Sequence, residues 1–196
     1  MTGPDLLTAI LLAAGSSKRM GNRNKLLMPV EGKALVRVMI ERIQEAGLRN
    51  IIVVLGHEAD AVKRALAGTP CRWVTNPDPD AGMGRSLAEG IRHLTPGTAG
   101  VLALPADLPH LPAAFLRRLV DTWLQDCSAE RIVATRSAGI VRGPAVFGAA
   151  WFEALAALTG DDAGRTLLKR NDTPVVPVDC PDPAWLHDWD RPEDLD

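Results

Sequence analysis

Apolar and polar positions fall in blocks along this chain rather than residue by residue. Residues 9–13 form an apolar run that breaks at Gly15 into small and basic residues, which predicts a buried strand. Leu35, Val38, Met39, Arg42, Ile43 and Ala46 recur near i, i+3, i+4 and i+7. That spacing predicts a helix, with Gly47 just past its end. Residues 51–55 are continuous and β-branched, as in a parallel strand buried on both faces. A helix over 59–66, a short strand over 71–74, a loop rich in proline and glycine, and a helix over 86–93 follow. Next come a strand over 101–104, a helix over 112–125 with Pro112 in its first turn, and a strand over 131–135. Gly139, Gly143 and Pro144 interrupt residues 137–147, which predicts a loop and then a short strand returning to the sheet. Residues 149–158 read as helix, with Trp151 and Phe152 in the core. Asp161 reads as an N-terminal cap with Arg165 one turn later. Residues 175–178 read as an edge strand, because Pro177 cannot donate to a ladder. Strand, loop, helix and strand in series predict βαβ units with right-handed crossovers, hence an α/β fold.

At 196 residues the chain suits one domain, residues 1–196, and 46% hydrophobic residues can fill its core. A net charge of −2 argues against a nucleic-acid binder. Cys71, Cys127 and Cys180 are far apart and in no metal spacing, as expected of reduced thiols in the cytoplasm. Residues 1–7 carry Asp5 and no basic stretch, so no secretory leader is expected. No apolar run reaches the roughly 18 residues that a membrane span needs.

The chemistry starts at the loop after the first strand. Gly15, Ser16 and Ser17 leave little side-chain bulk, so backbone N–H groups can approach a ligand. Lys18, Arg19, Arg23 and Lys25 follow closely, and cations beside exposed N–H groups make a phosphate cradle. A solvated basic loop is the plainer alternative. The loop lacks the Gly-Lys-Ser/Thr ending of a Walker motif, and Gly82-Met83-Gly84 supplies only two glycines of a dinucleotide fingerprint. Asp107, just past the strand over 101–104, is either a Mg²⁺ ligand or a turn residue before Pro109. Asp188 and Asp190 share one face of an extended segment around Trp189, as a solvated tail or a second metal-binding edge. His57 is a turn or cap group, or a ligand contact.

Leu12-Ala13-Ala14-Gly15-Ser16-Ser17-Lys18-Arg19-Met20-Gly21, followed by Asn24-Lys25-Leu26-Leu27, resembles the signature loop of the molybdenum cofactor nucleotidyltransferases. These are MobA-like NTP transferase domains, and the molybdopterin cytidylyltransferase branch is most similar. The resemblance implies a three-layer Rossmann-like nucleotidyltransferase fold, a mostly parallel central sheet with helices on both faces. It implies nucleotide contacts at Leu12, Ala13, Ala14, Gly15, Ser16, Ser17, Arg19 and Lys25, and further contacts at Asn76, Gly82, Met83, Ser86 and Ala106. Asp107 corresponds to the family's metal ligand, and Asp190 to its partner across the site, with Asp188 as alternate. Lys25, Arg19 and Asp107 would carry catalysis. Residues 160–168 resemble a family segment that orders the acceptor side. One departure is Arg142-Gly143-Pro144, where the family has a polar residue directly before Pro.

Ala14 and the Ala106-Asp107-Leu108-Pro109 motif resemble the cytidylyl branch, where a Cβ at 14 or 106 would narrow the base pocket. The implied reaction is transfer of CMP from CTP to the terminal phosphate of molybdopterin. Mg²⁺ (or Mn²⁺) assists, pyrophosphate leaves, and molybdopterin cytosine dinucleotide forms. A xanthine-oxidase-family molybdenum hydroxylase is the implied client. Guanylyl transfer, cytidylyl transfer to a sugar or polyol phosphate, and a non-catalytic cofactor carrier are the alternatives.

Overall fold

A computed structural model describes residues 6–17, 20, 23–170 and 174–189. Seven strands form one sheet: β1 (Leu7–Ala13), β4 (Asn50–Leu55), β5 (Arg72–Thr75), β6 (Gly100–Pro105), β7 (Ile132–Ser137), β8 (Ile140–Gly148) and β9 (Val175–Asp179). Their order is β5-β4-β1-β6-β8-β7-β9. Only β8 runs antiparallel to its neighbours, β6 and β7. A two-stranded hairpin, β2 (Pro29–Val30) and β3 (Lys33–Ala34), stands apart. Its turn residues Glu31 and Gly32 both have positive φ, as tight hairpins require.

Alternation along β1 divides the core. Leu7, Ala9, Leu11 and Ala13 face one layer, and Ile10 and Leu12 the other. The first layer is closed by α1 (Leu35–Glu45), α2 (Ala59–Ala65) and α4 (Ala113–Leu124). The second is closed by α3 (Met83–Arg92), α5 (Phe152–Ala156) and α6 (Arg165–Lys169). The expected three-layer, mostly parallel architecture is therefore the observed one. Helix α1 ends as its sequence predicts: Gly47 has φ +99°, and the N–H groups of Gly47 and Leu48 donate to the carbonyls of Gln44 and Ile43. That is a Schellman stop. β9 lies at a sheet edge and pairs only with β7 among the described strands. No described helix is long and apolar enough to cross a membrane.

Four expectations need correction. Residues 137–147 are a long hairpin rather than a loop and short strand: β7 and β8 turn at Ala138 and Gly139, both with positive φ. Gly143 and Pro144 do not stop β8, because they form a bulge. The pairing Ala134–Ala145 is followed by Thr135–Arg142. Helix α3 begins at Met83, three residues before Ser86, since Gly82 supplies the φ of +95° that the entry requires. The segment 149–158 divides into a 3₁₀ turn, Ala149–Trp151, and the short α5.

Topology then places the site. From β1 the chain moves through α1 to β4 on one side, while β6 lies on the other side of β1. The crevice beyond the carboxyl ends of β1 and β6 is thus a switch point, where open α/β sheets bind ligands.

Candidate active site

Two residues from that switch point meet. Lys25 Nζ lies 2.5 Å from Asp107 Oδ2, with the side chains only 11% and 16% exposed. Asp107 lies two residues past the end of β6, and Ala106 N–H donating to Leu12 O keeps that exit against β1. The next turn is fixed from α1, where Arg42 donates to the carbonyls of Pro109 and Leu111. Lys25 opens a 3₁₀ turn capped by Asn24, whose Oδ1 accepts from Leu26 N–H. Its own N–H donates to Ser17 Oγ at 3.3 Å. That bond ties the serine loop to the turn that carries the lysine.

Burial raises the Asp107 carboxyl above its ordinary value. Lys25 pulls it down by charge and hydrogen bond, and the nearby Asp188 carboxylate pushes it up again. Removing this carboxylate from water costs more than Lys25 returns. Asp107 Oδ1 is buried with no hydrogen-bond partner among the described residues. A buried hard oxygen left unsatisfied at a cleft is suited to a divalent cation.

The cleft around the pair has two lobes. The first, about 450 Å³, is lined by residues 14–17, Lys25, Gly82 and Ser86. The second, about 240 Å³, is lined by Arg142, Arg165, Leu108 and Leu186. Leu12, Met83, Pro105, Asp107, Asp161 and Asp188 are common to both. Neither lobe is lined by a histidine or cysteine among the described residues.

The MobA-like NTP transferase domain pattern matches residues 9–178. The chain belongs to that family. It is 31% identical over 193 residues to the nicotine blue oxidoreductase of Paenarthrobacter nicotinovorans, covering 96% of this chain and 94% of that protein. It is 29% identical to purine catabolism protein PucB of Bacillus subtilis, covering 97% and 94%. Among solved structures, Rv0371c of Mycobacterium tuberculosis superposes with a TM-score of 0.78 at 30% identity, over 96% and 95% of the two chains. A manganese complex of Rv0371c matches at 0.74 and 29%, over 89% of each. A nucleotidyl transferase from Methanothermobacter thermautotroptrophicus shares the fold, with a TM-score of 0.83 at 24% identity over 96% and 93%.

Within this MobA-like nucleotidyltransferase, most residues singled out from sequence converge on the cleft. Leu12, Ala14, Gly15, Ser16, Ser17, Lys25, Gly82, Met83, Ser86 and Asp107 line the first lobe. Three others stand behind it. Ala13 and Ala106 are buried in the core layer that packs α1 and α4, so a Cβ at 106 does not shape a base pocket; only Ala14 reaches the cleft. Asn76 is 1% exposed. Its Nδ2 donates to Ser86 Oγ at 3.1 Å and its Oδ1 accepts from Asp78 N–H, so it acts by holding Ser86. Arg19 and Asp190 lie outside the described residues, as does Lys18; Asp188 is in place on the shared wall.

Gly82 and Gly84 are not part of a dinucleotide fingerprint. A Cβ on Gly82 would lie 2.3 Å from Gly160 C and O, and one on Gly84 2.6 Å from Asp162 O. They let α3 pack directly on the loop 159–162, which carries Asp161 to the cleft. Asp162, rather than Asp161, serves the start of α6: its Oδ1 accepts from Thr166 N–H at 3.1 Å, while Gly164 occupies the N-cap position. Burial raises the Asp162 carboxyl, but hydrogen bonds from Thr166, Arg165 and Gly164 outweigh it and hold the group below its ordinary value. Gly56 also escaped the sequence reading. A Cβ there would meet Ala14 O at 2.5 Å and Pro79 Cβ at 2.7 Å, so glycine lets three loops of the cleft close together. His57 has the turn role: its N–H donates to Ala14 O and its ring meets Asp80 at 3.3 Å.

Proposed function

We propose that this protein transfers CMP from CTP to the terminal phosphate of molybdopterin, releasing pyrophosphate and forming molybdopterin cytosine dinucleotide. The observation that carries the reading is the Lys25–Asp107 pair inside a cleft whose other wall is a small-residue loop. The triphosphate lies in the first lobe, against main-chain N–H groups of residues 14–17. Lys25 exchanges Asp107 for the α-phosphate and neutralises the charge that grows there. An oxygen of the acceptor phosphate bonds to the α-phosphorus as the bond to the β-bridging oxygen breaks, and that electron pair leaves on pyrophosphate. The nucleophile is already an anion, so a cleft lining without histidine or cysteine suffices, and positioning and charge do the work. Asp107, through Oδ1, and Asp188 would hold a divalent cation, with Asp190 assigned from sequence to the same role. When bound, Mg²⁺ or Mn²⁺ supplies charge neutralisation across the phosphate oxygens. Ala14, a lining residue of the first lobe, supports CTP through the motif it shares with the cytidylyl branch.

The experiment is product identification by mass after incubation with Mg²⁺, molybdopterin and CTP, GTP, ATP or UTP in turn. The reading expects the cytosine dinucleotide, and its loss in Asp107→Ala. The guanine dinucleotide instead would keep the mechanism and overturn the base assignment. The relative from Paenarthrobacter nicotinovorans is named a nicotine blue oxidoreductase, so an arm that follows the redox state of nicotine blue belongs beside it. Turnover there without pyrophosphate would overturn the transferase reading.

A further inference from the structure

The second lobe carries two cations that the triphosphate loop does not supply, Arg142 of β8 and Arg165 of α6. The β7–β8 bulge sets the first. Gly143 and Pro144 are extra residues on β8 between the Ala145 and Arg142 pairings, and a bulge bends its strand and re-aims side chains. Buried Thr135 Oγ1 donates to Pro144 O at 2.8 Å, which ties the bend to β7. Arg142 lines the lobe, is exposed, and its side chain makes no hydrogen bond or ion pair with another described residue. Arg165 is held at the first position of α6 by donating to Asp161 O at 2.8 Å, which uses one of five guanidinium N–H donors.

The rest of the lobe divides by chemistry. Its wall toward the first lobe bears Asp107, Asp161 and Asp188, and elsewhere it is lined by Leu108, Leu186 and Ala163. A dianion entering here meets three carboxylates, and Arg142 and Arg165 are the only cations among the lining residues. Guanidinium groups match phosphate oxygens in fork geometry, and the leucines offer an apolar surface to a ring. We propose that this lobe is the acceptor subsite, taking a ring-bearing phosphomonoester, and that Arg142 with Arg165 recognises its phosphate. The proposal rests on the nucleotidyl-transfer reading and assigns Arg142 as the residue that selects the acceptor.

The test uses the full chain with Arg142→Ala, Arg142→Glu and Arg165→Lys, probed with molybdopterin and with phenyl phosphate, phenol being the neutral control. Arg142→Ala is expected to raise Kd and KM for molybdopterin about tenfold and Arg142→Glu about 100-fold, the range of a lost charge-assisted contact. Kd for CTP and Tm stay at wild-type values. Arg165→Lys, which keeps the charge and loses the fork, is expected to weaken the acceptor about fivefold. Phenyl phosphate follows the same order and phenol shows none. Acceptor affinity within twofold of wild type in both Arg142 variants overturns the proposal and leaves nucleotidyl transfer standing. So does a wild-type protein that binds CTP and neither phosphomonoester. Arg142-dependent binding without pyrophosphate release from any nucleotide supports the subsite and sinks the transfer reading.

Discussion

Lys25 and Asp107 form a 2.5 Å ion pair although one follows a glycine loop after β1 and the other lies two residues past β6. Burial disfavours the Asp107 carboxylate more than Lys25 favours it. Such a pair is weak evidence for stability and better evidence for a site poised to exchange partners. Asp107→Asn is expected to lower turnover about 10²-fold or more and to lower Tm as well, because it leaves the Lys25 ammonium buried without its carboxylate. Thermal melts beside steady-state pyrophosphate release check both halves. The double variant Lys25→Met with Asp107→Asn is expected to recover Tm and not turnover; recovery of both would mark the pair as structural.

Two glycines of the cleft should respond oppositely to alanine. At Gly15 a Cβ meets nothing within 4 Å of protein, so the only space it takes is the ligand's. Gly15→Ala is expected to keep Tm within about 1 °C and raise KM for the nucleotide about tenfold. At Gly82 φ is +95° and a Cβ would lie 2.3 Å from Gly160. Gly82→Ala is expected to cost about 1–3 kcal/mol, read as a lower denaturation midpoint, whether or not nucleotide is present.

Asn76 serves the site without lining it. Its amide bonds Ser86 Oγ and Asp78 N–H in a buried position. Asn76→Ala should cost about 1–3 kcal/mol for the groups left unpaired, and raise KM for nucleotide with a smaller change in kcat. Ser86→Ala should show the KM effect at a lower stability cost.

The Asp162 bond to the start of α6 predicts a pH dependence. Its folded carboxyl is held below the ordinary value near 3.8, so the folded state favours the ionised form. That contribution is complete above the unfolded value and is lost as pH falls through the folded one. Asp162→Ala should lower stability by about 0.5–2 kcal/mol at neutral pH. The difference in Tm from wild type should shrink as pH drops below 3.8 toward and past the folded value. A gap independent of pH would point to packing instead.

Removing divalent metal should separate function from fold. Asp107 has Lys25 as counterion without any metal. EDTA is expected to abolish turnover and to leave Tm within about 1 °C, since the described residues contain no group of three or more metal-ligating side chains of the kind structural metal sites use.

Much of this arrangement is legible in the sequence, for identifiable reasons. Strands buried on both faces, such as residues 51–55, must be continuously apolar. A helix stop such as Gly47 needs the left-handed conformation that glycine adopts at least cost. What escapes reading is set by tertiary contact. Asp161 and Asp162 are equivalent as letters, and only the approach of α3 through Gly82 and Gly84 decides which one serves the start of α6 and which faces the cleft. Gly143-Pro144 reads as a break because a bulge needs its partner strand to be seen. Ala13 and Ala106 resemble contacts by motif position, yet strand alternation at β1 and the turn after β6 send both into the core.

The most direct measurement follows the phosphorus atoms. CTP labelled at the α-phosphate, and separately at the γ-phosphate, is incubated with the protein, Mg²⁺ and molybdopterin, and the products are separated. The account predicts α-label in a molybdopterin dinucleotide and γ-label in pyrophosphate. Gamma-label on the acceptor, or no transfer from any labelled nucleotide by folded protein, would contradict it.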